Sequence, residues 1–297
     1  MNRGELIQLA NEIRKSRIQK DEWPLWYPEY KNLVSIEHKT LAVEEYPDLE
    51  YYLIYPEGTA RQSYPLLIDY HGGGFIYGLE ERNLLLGASL AVRAGCAVIE
   101  VDYAVAPEHP FPTAWRQSIA LLQHVLEGKE ADNLDLNKIV LCGHSAGANI
   151  AAASMLYLHA ENIDCIRGQI LDYPPLDLFT DPKDKPDVPE SPIPYDRARI
   201  FNEMYLENPE EKDNPYVSPV LASPEMLSGL PETVIITSGK DVLKFEADQY
   251  TQNLIEAGVQ VTAKRFTQSR HGMTEYCSGE WEETHKLIVD TIRRWIQ

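Results

Sequence analysis

The sequence predicts an α/β fold in which a mainly parallel, twisted sheet carries helices on both faces. Three observations predict it. Short apolar runs alternate with helix-like stretches after residue 55, a pattern typical of a parallel sheet that is covered on both sides. Two glycine-rich motifs each follow one of these apolar runs. The 297 residues, without an internal repeat, suffice for one large domain or two small ones, and we favour a single domain over 1–297.

The N-terminal part of the chain lies outside this alternation. Residues 1–20 predict an amphipathic helix, because apolar residues recur at about one-turn spacing. These residues are Leu6, Leu9, Ile13 and Ile18. The prolines within 21–28 end that helix, and the alternating runs 33–44 and 49–55 predict an antiparallel hairpin.

The central strands and helices are predicted from apolar runs and helical patterns that turn residues separate. The predicted strands are 66–68, 97–101, 139–142, 168–171, 234–237 and 259–266. The predicted helices are 81–94, 114–127, 146–159, 242–257 and 281–295. In a parallel sheet the loops after the strands meet at one edge, so that edge is where a site is expected.

Residues 174–219 interrupt the alternation. The segment is rich in Pro, Asp and Glu and contains one apolar helical stretch at 196–206. A linker between two domains is one interpretation. We favour an insertion that packs over the active edge of the sheet, because the apolar helix needs a surface to cover and the alternation resumes after it.

Charge and cysteine usage exclude several classes of partner. The net charge of −19 disfavours nucleic acids and anionic lipids, which would be repelled. The cysteines are scattered, with no zinc-binding spacing, and indicate a reducing compartment. The N-terminus lacks the apolar stretch of a signal peptide, and no apolar run is long enough for a membrane span. We therefore expect a cytoplasmic protein with neither metal nor stable membrane insertion.

Two motifs indicate acyl transfer through a serine. The segment GHSAG at 143–147 follows an apolar run and precedes a helix, which is the setting of a serine on a sharp strand-to-helix turn. The segment HGGG at 71–74 can supply backbone donors, because glycine amides approach a ligand closely. We therefore expect Ser145 as nucleophile and the amides of Gly73, Gly74 and Ala146 as an oxyanion hole. A structural turn and a flexible loop are the alternatives.

A serine nucleophile needs a base and an acid that orients the base. Among eight histidines, His271 lies in a loop after a strand predicted to end near residue 266, and it follows the serine in sequence. Asp241 comes after the run 233–240, between serine and histidine, as this chain order requires. Rival acids are Asp172, Asp177 and Glu246.

In combination these motifs resemble the hormone-sensitive-lipase-like branch of the α/β-hydrolase esterases. HGGGF at 71–75 matches the oxyanion loop of that branch, and DYAVAPEHPFP at 102–112 matches a second typical stretch. GHSAG at 143–147 matches its nucleophile elbow, and segments 241–243 and 271–273 resemble its acid and base boxes. The chain has His144, Ala148 and Ala104-Val105 where the family usually has Asp, Gly and Arg-Leu.

The resemblance covers about residue 50 to the end of the chain, and it implies an α/β-hydrolase fold. It implies a helical cap made from about residues 1–30 and the insertion at 174–219. It also implies a serine carboxylesterase of short-chain acyl esters, acting through Ser145, Asp241 and His271 without cofactor or metal. The alternatives are an amidase or peptidase of the same fold and a non-catalytic small-molecule binder.

The substrate pocket is expected beside the nucleophile. Side chains of the cap and of the loops beside the nucleophile are expected to line it. The residues we select for this role are Tyr27, Phe75, Ile200, Met204 and Met273. The expected partner is a small-molecule ester, and the oligomeric state stays open, with a homodimer among the alternatives.

Overall fold

The computed structural model describes residues 1–18, 27–58 and 62–297. Within these ranges the centre of the molecule is an eight-stranded sheet with the order β1-β2-β4-β3-β5-β6-β7-β8. The strands are β1 (Val34–Leu41), β2 (Leu49–Pro56), β3 (Tyr64–Tyr70), β4 (Ala97–Asp102), β5 (Leu134–His144), β6 (Ile166–Asp172), β7 (Glu232–Lys240) and β8 (Val261–Arg270). β2 runs antiparallel to both of its neighbours, and all other pairs are parallel. The predicted hairpin and the predicted mainly parallel sheet are confirmed.

Helices cover both faces of the sheet. They are α1 (Arg3–Ile18), α2 (Glu81–Leu90), α3 (Thr113–Leu126), α4 (Ala146–Ala160), α5 (Tyr195–Tyr205), α6 (Pro224–Leu227), α7 (Lys244–Glu256) and α8 (Trp281–Ile296). Alternate residues of a strand point to opposite faces. Accordingly, Leu66 and Ile68 of β3 pack in the core beneath α3 and α4, and Leu67 packs with α2 and α8. None of the helices in the described ranges combines the length and apolar character that a membrane span requires.

Two of the boundary differences from the prediction have a clear structural cause. Strand β8 continues to Arg270 because it pairs with β7 beyond an irregularity, up to the partners Lys240 and Arg270. The polar composition of 267–270 had indicated a loop there. Helix α2 ends at Leu90, and the predicted last turn is a π-helical turn over Ala91–Gly95. The predicted N-terminal helix is seen as α1, and residues 19–20 of that prediction lie outside the described residues.

Candidate active site

The first element of the site is a sharp turn between β5 and α4. Ser145 occupies this turn with φ 52° and ψ −120°, a conformation that is strained for a residue with a side chain. Its amide donates to the carbonyl of Asp172, at 2.8 Å. A Cβ at Gly147 would lie 2.0 Å from the carbonyl oxygen of Tyr70, and one at Gly143 would lie 2.4 Å from that of Gly147. The two glycines of the motif are therefore required by close backbone contacts.

Three side chains from separate strand ends form a continuous chain of contacts. Ser145 Oγ lies 2.8 Å from His271 Nε2, and His271 Nδ1 lies 2.6 Å from Asp241 Oδ2. The other oxygen of Asp241 accepts the amide of Leu243 at 3.2 Å, which fixes the orientation of the carboxylate. Asp241 is 1% exposed and Ser145 is 7% exposed. Asp241 and His271 directly follow β7 and β8, so the structure brings together the three predicted residues at the carboxyl edge of the sheet.

The electrostatics of His271 favour its protonated form. Burial, the largest single effect, would lower the pKa of the imidazole. The carboxylates of Asp241, Glu275 and Asp172, with Asp241 the strongest of them, together outweigh burial and raise the pKa of His271 above its ordinary value. The ring of Tyr173 packs edge-on against the His271 ring, with centroids 4.8 Å apart. Tyr173 follows β6 with φ 39°, and no motif in the sequence points to it.

The glycine loop after β3 lies beside the serine. Gly73 and Gly74 have φ values of 137° and 59°, which favour glycine. A Cβ at Gly74 would lie 2.3 Å from the ring of Phe201, and one at Gly73 would lie 2.9 Å from the carbonyl oxygen of Tyr77. In the part of the chain that the structure describes, the amides of both glycines donate to no protein acceptor. These amides, with that of Ala146 at the start of α4, remain available to an oxygen of a ligand.

Ser145 and His271 open into a cavity of about 720 Å³. The insertion contributes most of its wall, including most of the residues from 182 to 198. Aromatic side chains surround the space near the glycine loop; they are Phe75, Tyr77 and Phe201.

The predicted pocket residues are only partly placed in this cavity. Phe75 lines it, whereas Ile200, Met204 and Met273 do not. On α5 the cavity is lined by 195, 197, 198, 201 and 202. Ile200 turns away from this face because a helix rotates 100° per residue, and Met204, almost one turn beyond Phe201, is fully buried in the core. Met273 is fully buried between Ser238 and Thr284, whose hydroxyls lie 3.5 Å from its sulfur. The side chain of Tyr27 lies outside the described part of the chain.

The three rival acids have other partners. Asp172 Oδ2 lies 2.9 Å from His144 Nδ1. Asp177 Oδ1 accepts the amide of Thr180 at 2.8 Å. Glu246 accepts the amide of Leu176, at 2.7 Å, with one oxygen. Its other oxygen pairs with the ammonium of Lys185 at 2.5 Å, so Glu246 holds the insertion against α7.

His144, where the resembled family usually has Asp, lies in a buried group of charges. Its Nδ1 faces Asp172, and its Nε2 lies 3.4 Å from Asp69 Oδ1. Asp69, Cys142 and His144 also place potential metal ligands within 4.8 Å of one another. Although burial opposes the charge, these carboxylates raise the pKa of His144 well above its ordinary value, and burial raises the pKa of the Cys142 thiol. Because metal ligands must be deprotonated, this set fits an imidazolium between two carboxylates better than a metal site.

Helix α1 is joined to the glycine loop through Arg14. The Arg14 guanidinium donates to the carbonyl of Ile76 at 2.7 Å and to that of Ala106 at 2.8 Å. It also forms a bidentate pair with Glu108, with both distances 2.8 Å. No local sequence pattern points to this residue, because its partners lie far away along the chain.

Comparisons with known proteins agree with this architecture. The model of a family described as alpha/beta hydrolase fold matches residues 67–275. Carboxylesterase NlhH of Mycobacterium tuberculosis is 28% identical over 89% of this chain and 82% of that protein. AB hydrolase superfamily protein C1039.03 of Schizosaccharomyces pombe is 29% identical over 73% of this chain, and the match spans 65% of the yeast protein. A solved structure of a hyperthermophilic esterase from the archaeon Pyrobaculum calidifontis matches with a TM-score of 0.85 at 26% identity, covering 98% of this chain and 96% of that one.

Proposed function

The chain belongs to the α/β hydrolase family and is a carboxylic ester hydrolase, and on this premise we propose that Ser145, His271 and Asp241 are its catalytic triad. One observation carries the proposal. The hydroxyl, the imidazole and the carboxylate lie in contact in the order that nucleophilic catalysis requires, at 2.8 Å and 2.6 Å. The cavity beside Ser145 offers room for an ester.

The proposed reaction has two halves. Ser145 Oγ attacks the ester carbonyl while His271 Nε2 accepts the hydroxyl proton, and Asp241 stabilises the resulting imidazolium. The amides of Gly73, Gly74 and Ala146 donate to the oxyanion of the tetrahedral intermediate. His271 then gives its proton to the leaving alcohol, and an acyl-enzyme remains. Water, deprotonated by His271, attacks the acyl-enzyme. The acid then leaves as His271 returns this proton to Ser145 Oγ, which restores the free serine and the neutral base.

We further propose that the substrates are short-chain acyl esters. Support comes from Phe201, whose ring stands against Gly74 and limits the space beside the oxyanion amides. The insertion at 174–219 and the N-terminal segment act as a cap in this proposal, since the insertion lines the cavity and α1 is tied to the glycine loop by Arg14. A cytoplasmic location and a homodimer stay predictions.

The test is the variant Ser145→Ala, assayed with p-nitrophenyl acetate, butyrate and octanoate. We expect an intact fold by circular dichroism, loss of hydrolysis, and loss of labelling by a fluorophosphonate probe. Ser228→Ala, an exposed serine outside the site, serves as the matched control and keeps wild-type turnover. Hydrolysis by Ser145→Ala at the wild-type rate refutes the assignment. If the wild-type protein turned over an anilide as fast as the ester with the same acyl group, it would be identified as an amidase. If the fluorophosphonate probe did not label Ser145 of the wild-type protein, a binding protein would be favoured.

A further inference from the structure

Glu275 is a buried carboxylate in the turn that follows His271, and it is 6% exposed. Three donors from three different segments converge on it. The amide of Gly72 donates at 2.9 Å and the side-chain amide of Asn83 at 2.8 Å, both to Oε1. The hydroxyl of Tyr173 donates to Oε2 at 3.3 Å. The reaction described above assigns no role to this residue.

The contact with Gly72 explains the first glycine of the glycine loop. A Cβ at Gly72 would lie 2.4 Å from Glu275 Oε2, closer than any van der Waals contact allows. Gly72 therefore leaves room for this carboxylate, and its amide is held by it. Because Gly73 and Gly74 follow directly, the position of Glu275 bears on the position of the amides that face the ligand.

The same carboxylate is joined to His271 along two routes. Along the chain, it lies four residues after His271 in one turn, which the bond from the Tyr276 amide to the Gly272 carbonyl closes at 3.0 Å. Through space, Tyr173 packs edge-on against the His271 ring and donates its hydroxyl to Glu275. Glu275 thus contacts both the loop that carries the base and the loop that carries the oxyanion donors.

Glu275 is also charged in this setting. Burial would raise the pKa of its carboxyl, but the charges of His144 and Arg82 and the Gly72 amide lower it below its ordinary value. The negative groups that face His271 are Asp241, Glu275 and Asp172. Removing the charge of Glu275 therefore removes one of the interactions that favour protonated His271.

We propose that Glu275 is a positioning residue that holds the Gly72 amide and the His271 loop in register, so that the oxyanion donors and the base face the same carbonyl. The proposal rests on the proposed function. Its expected signature is a fall in kcat with little change in KM, because the misplaced groups act mainly on the transition state.

Two conservative variants separate the effect of side-chain length at position 275 from the effect of its charge. Glu275→Asp keeps the charge but retracts the carboxylate by one methylene, so it no longer reaches the Gly72 amide. We expect kcat for p-nitrophenyl butyrate to fall about 10²-fold, the size associated with a displacement of about 1 Å. Glu275→Gln keeps the reach, and its amide can still bond Gly72 and Tyr173. We expect kcat within about 3-fold of wild type on the pH plateau, with the acidic limb of the kcat/KM profile moved to lower pH.

Glu283→Gln, an exposed carboxylate in the first turn of α8, is the control and leaves both kcat and the pH profile unchanged. Thermal unfolding of each variant confirms that the fold is intact. Wild-type kcat in Glu275→Asp overturns the proposal, as does an equal loss in both variants with no movement of the acidic limb. If Ser145→Ala retains activity, the proposed function itself fails. If Ser145→Ala is inactive but the Glu275 variants behave like wild type, the catalytic triad is supported and only the proposed role of Glu275 is wrong.

Discussion

The Asp241→Asn variant tests the orientation of the base most directly. In the native site Asp241 Oδ1 accepts the amide of Leu243 at 3.2 Å, and Oδ2 faces His271 Nδ1 at 2.6 Å. An asparagine must keep its oxygen toward the Leu243 amide, since the opposite rotamer would bring two donors together. Its NH₂ group then donates to Nδ1, so the ring proton moves to Nε2. That nitrogen faces Ser145 Oγ at 2.8 Å and can no longer accept the hydroxyl proton.

The size of the effect follows from this change of tautomer. The corresponding substitution in serine proteases lowers kcat about 10⁴-fold, which is about 5.4 kcal/mol of transition-state stabilisation. The pH profile should also move. Asp241 holds the pKa of His271 above its ordinary value, and the neutral base is lost as pH falls through that raised pKa. Without the carboxylate the pKa falls, so the acidic limb of the remaining activity moves to lower pH.

Stopped-flow and steady-state hydrolysis of p-nitrophenyl butyrate between pH 5 and pH 9 would measure both effects. Asp248→Asn, on the exposed side of α7, is a matched control because its carboxylate pairs with Arg265 outside the site. Circular dichroism must show a native fold for both variants. A loss smaller than about 10-fold, or an acidic limb that stays in place, would show that another carboxylate orients His271.

Two further predictions concern the pocket and the N-terminal helix. Phe201→Ala removes the ring beside Gly74, and we expect the ratio of kcat/KM for p-nitrophenyl octanoate over acetate to rise about 10-fold. Phe179→Ala, 45% exposed and outside the cavity lining, should leave that ratio unchanged, and an unchanged ratio in Phe201→Ala would contradict the placement of the acyl group. Arg14→Ala removes two carbonyl contacts and a bidentate ion pair, and we expect urea unfolding to show a loss of about 1–3 kcal/mol together with a lower kcat. Lys15→Ala, exposed on the same helix, controls for loss of charge, and equal stability of the two variants would show that Arg14 does not hold α1 in place.

Local sequence patterns predict part of the fold and of the site. Asp241 and His271 are recognisable because each follows an apolar run predicted as a strand, and both stand in the chain order that a serine nucleophile requires. Ser145 is recognisable because two glycines bracket it, and the structure gives each glycine a close backbone contact. Strand and helix alternation predicts the sheet edge where these residues meet.

Other features depend on contacts between distant parts of the chain. Glu275 meets Gly72 across 203 residues, and Arg14 meets Ile76 across 62 residues, so no local pattern points to either pair. The pocket prediction on α5 was wrong for Ile200 and Met204 because apolar composition alone does not say which residues of a helix are covered by the core. The end of β8 was misplaced because polar residues 267–270 continue the pairing with β7.

The wall of the cavity has a consequence for how new substrate preferences could arise. Of the lining positions that the structure describes, six are prolines: Pro175, Pro182, Pro186, Pro189, Pro192 and Pro194. Because a proline ring fixes φ, the backbone of this wall loses little conformational entropy when a ligand binds. Selectivity then arises from a shape that exists before binding rather than from a surface that adapts. Single side-chain replacements on α5 should accordingly change which esters fit, whereas changes in loop length would disturb the enclosure as a whole.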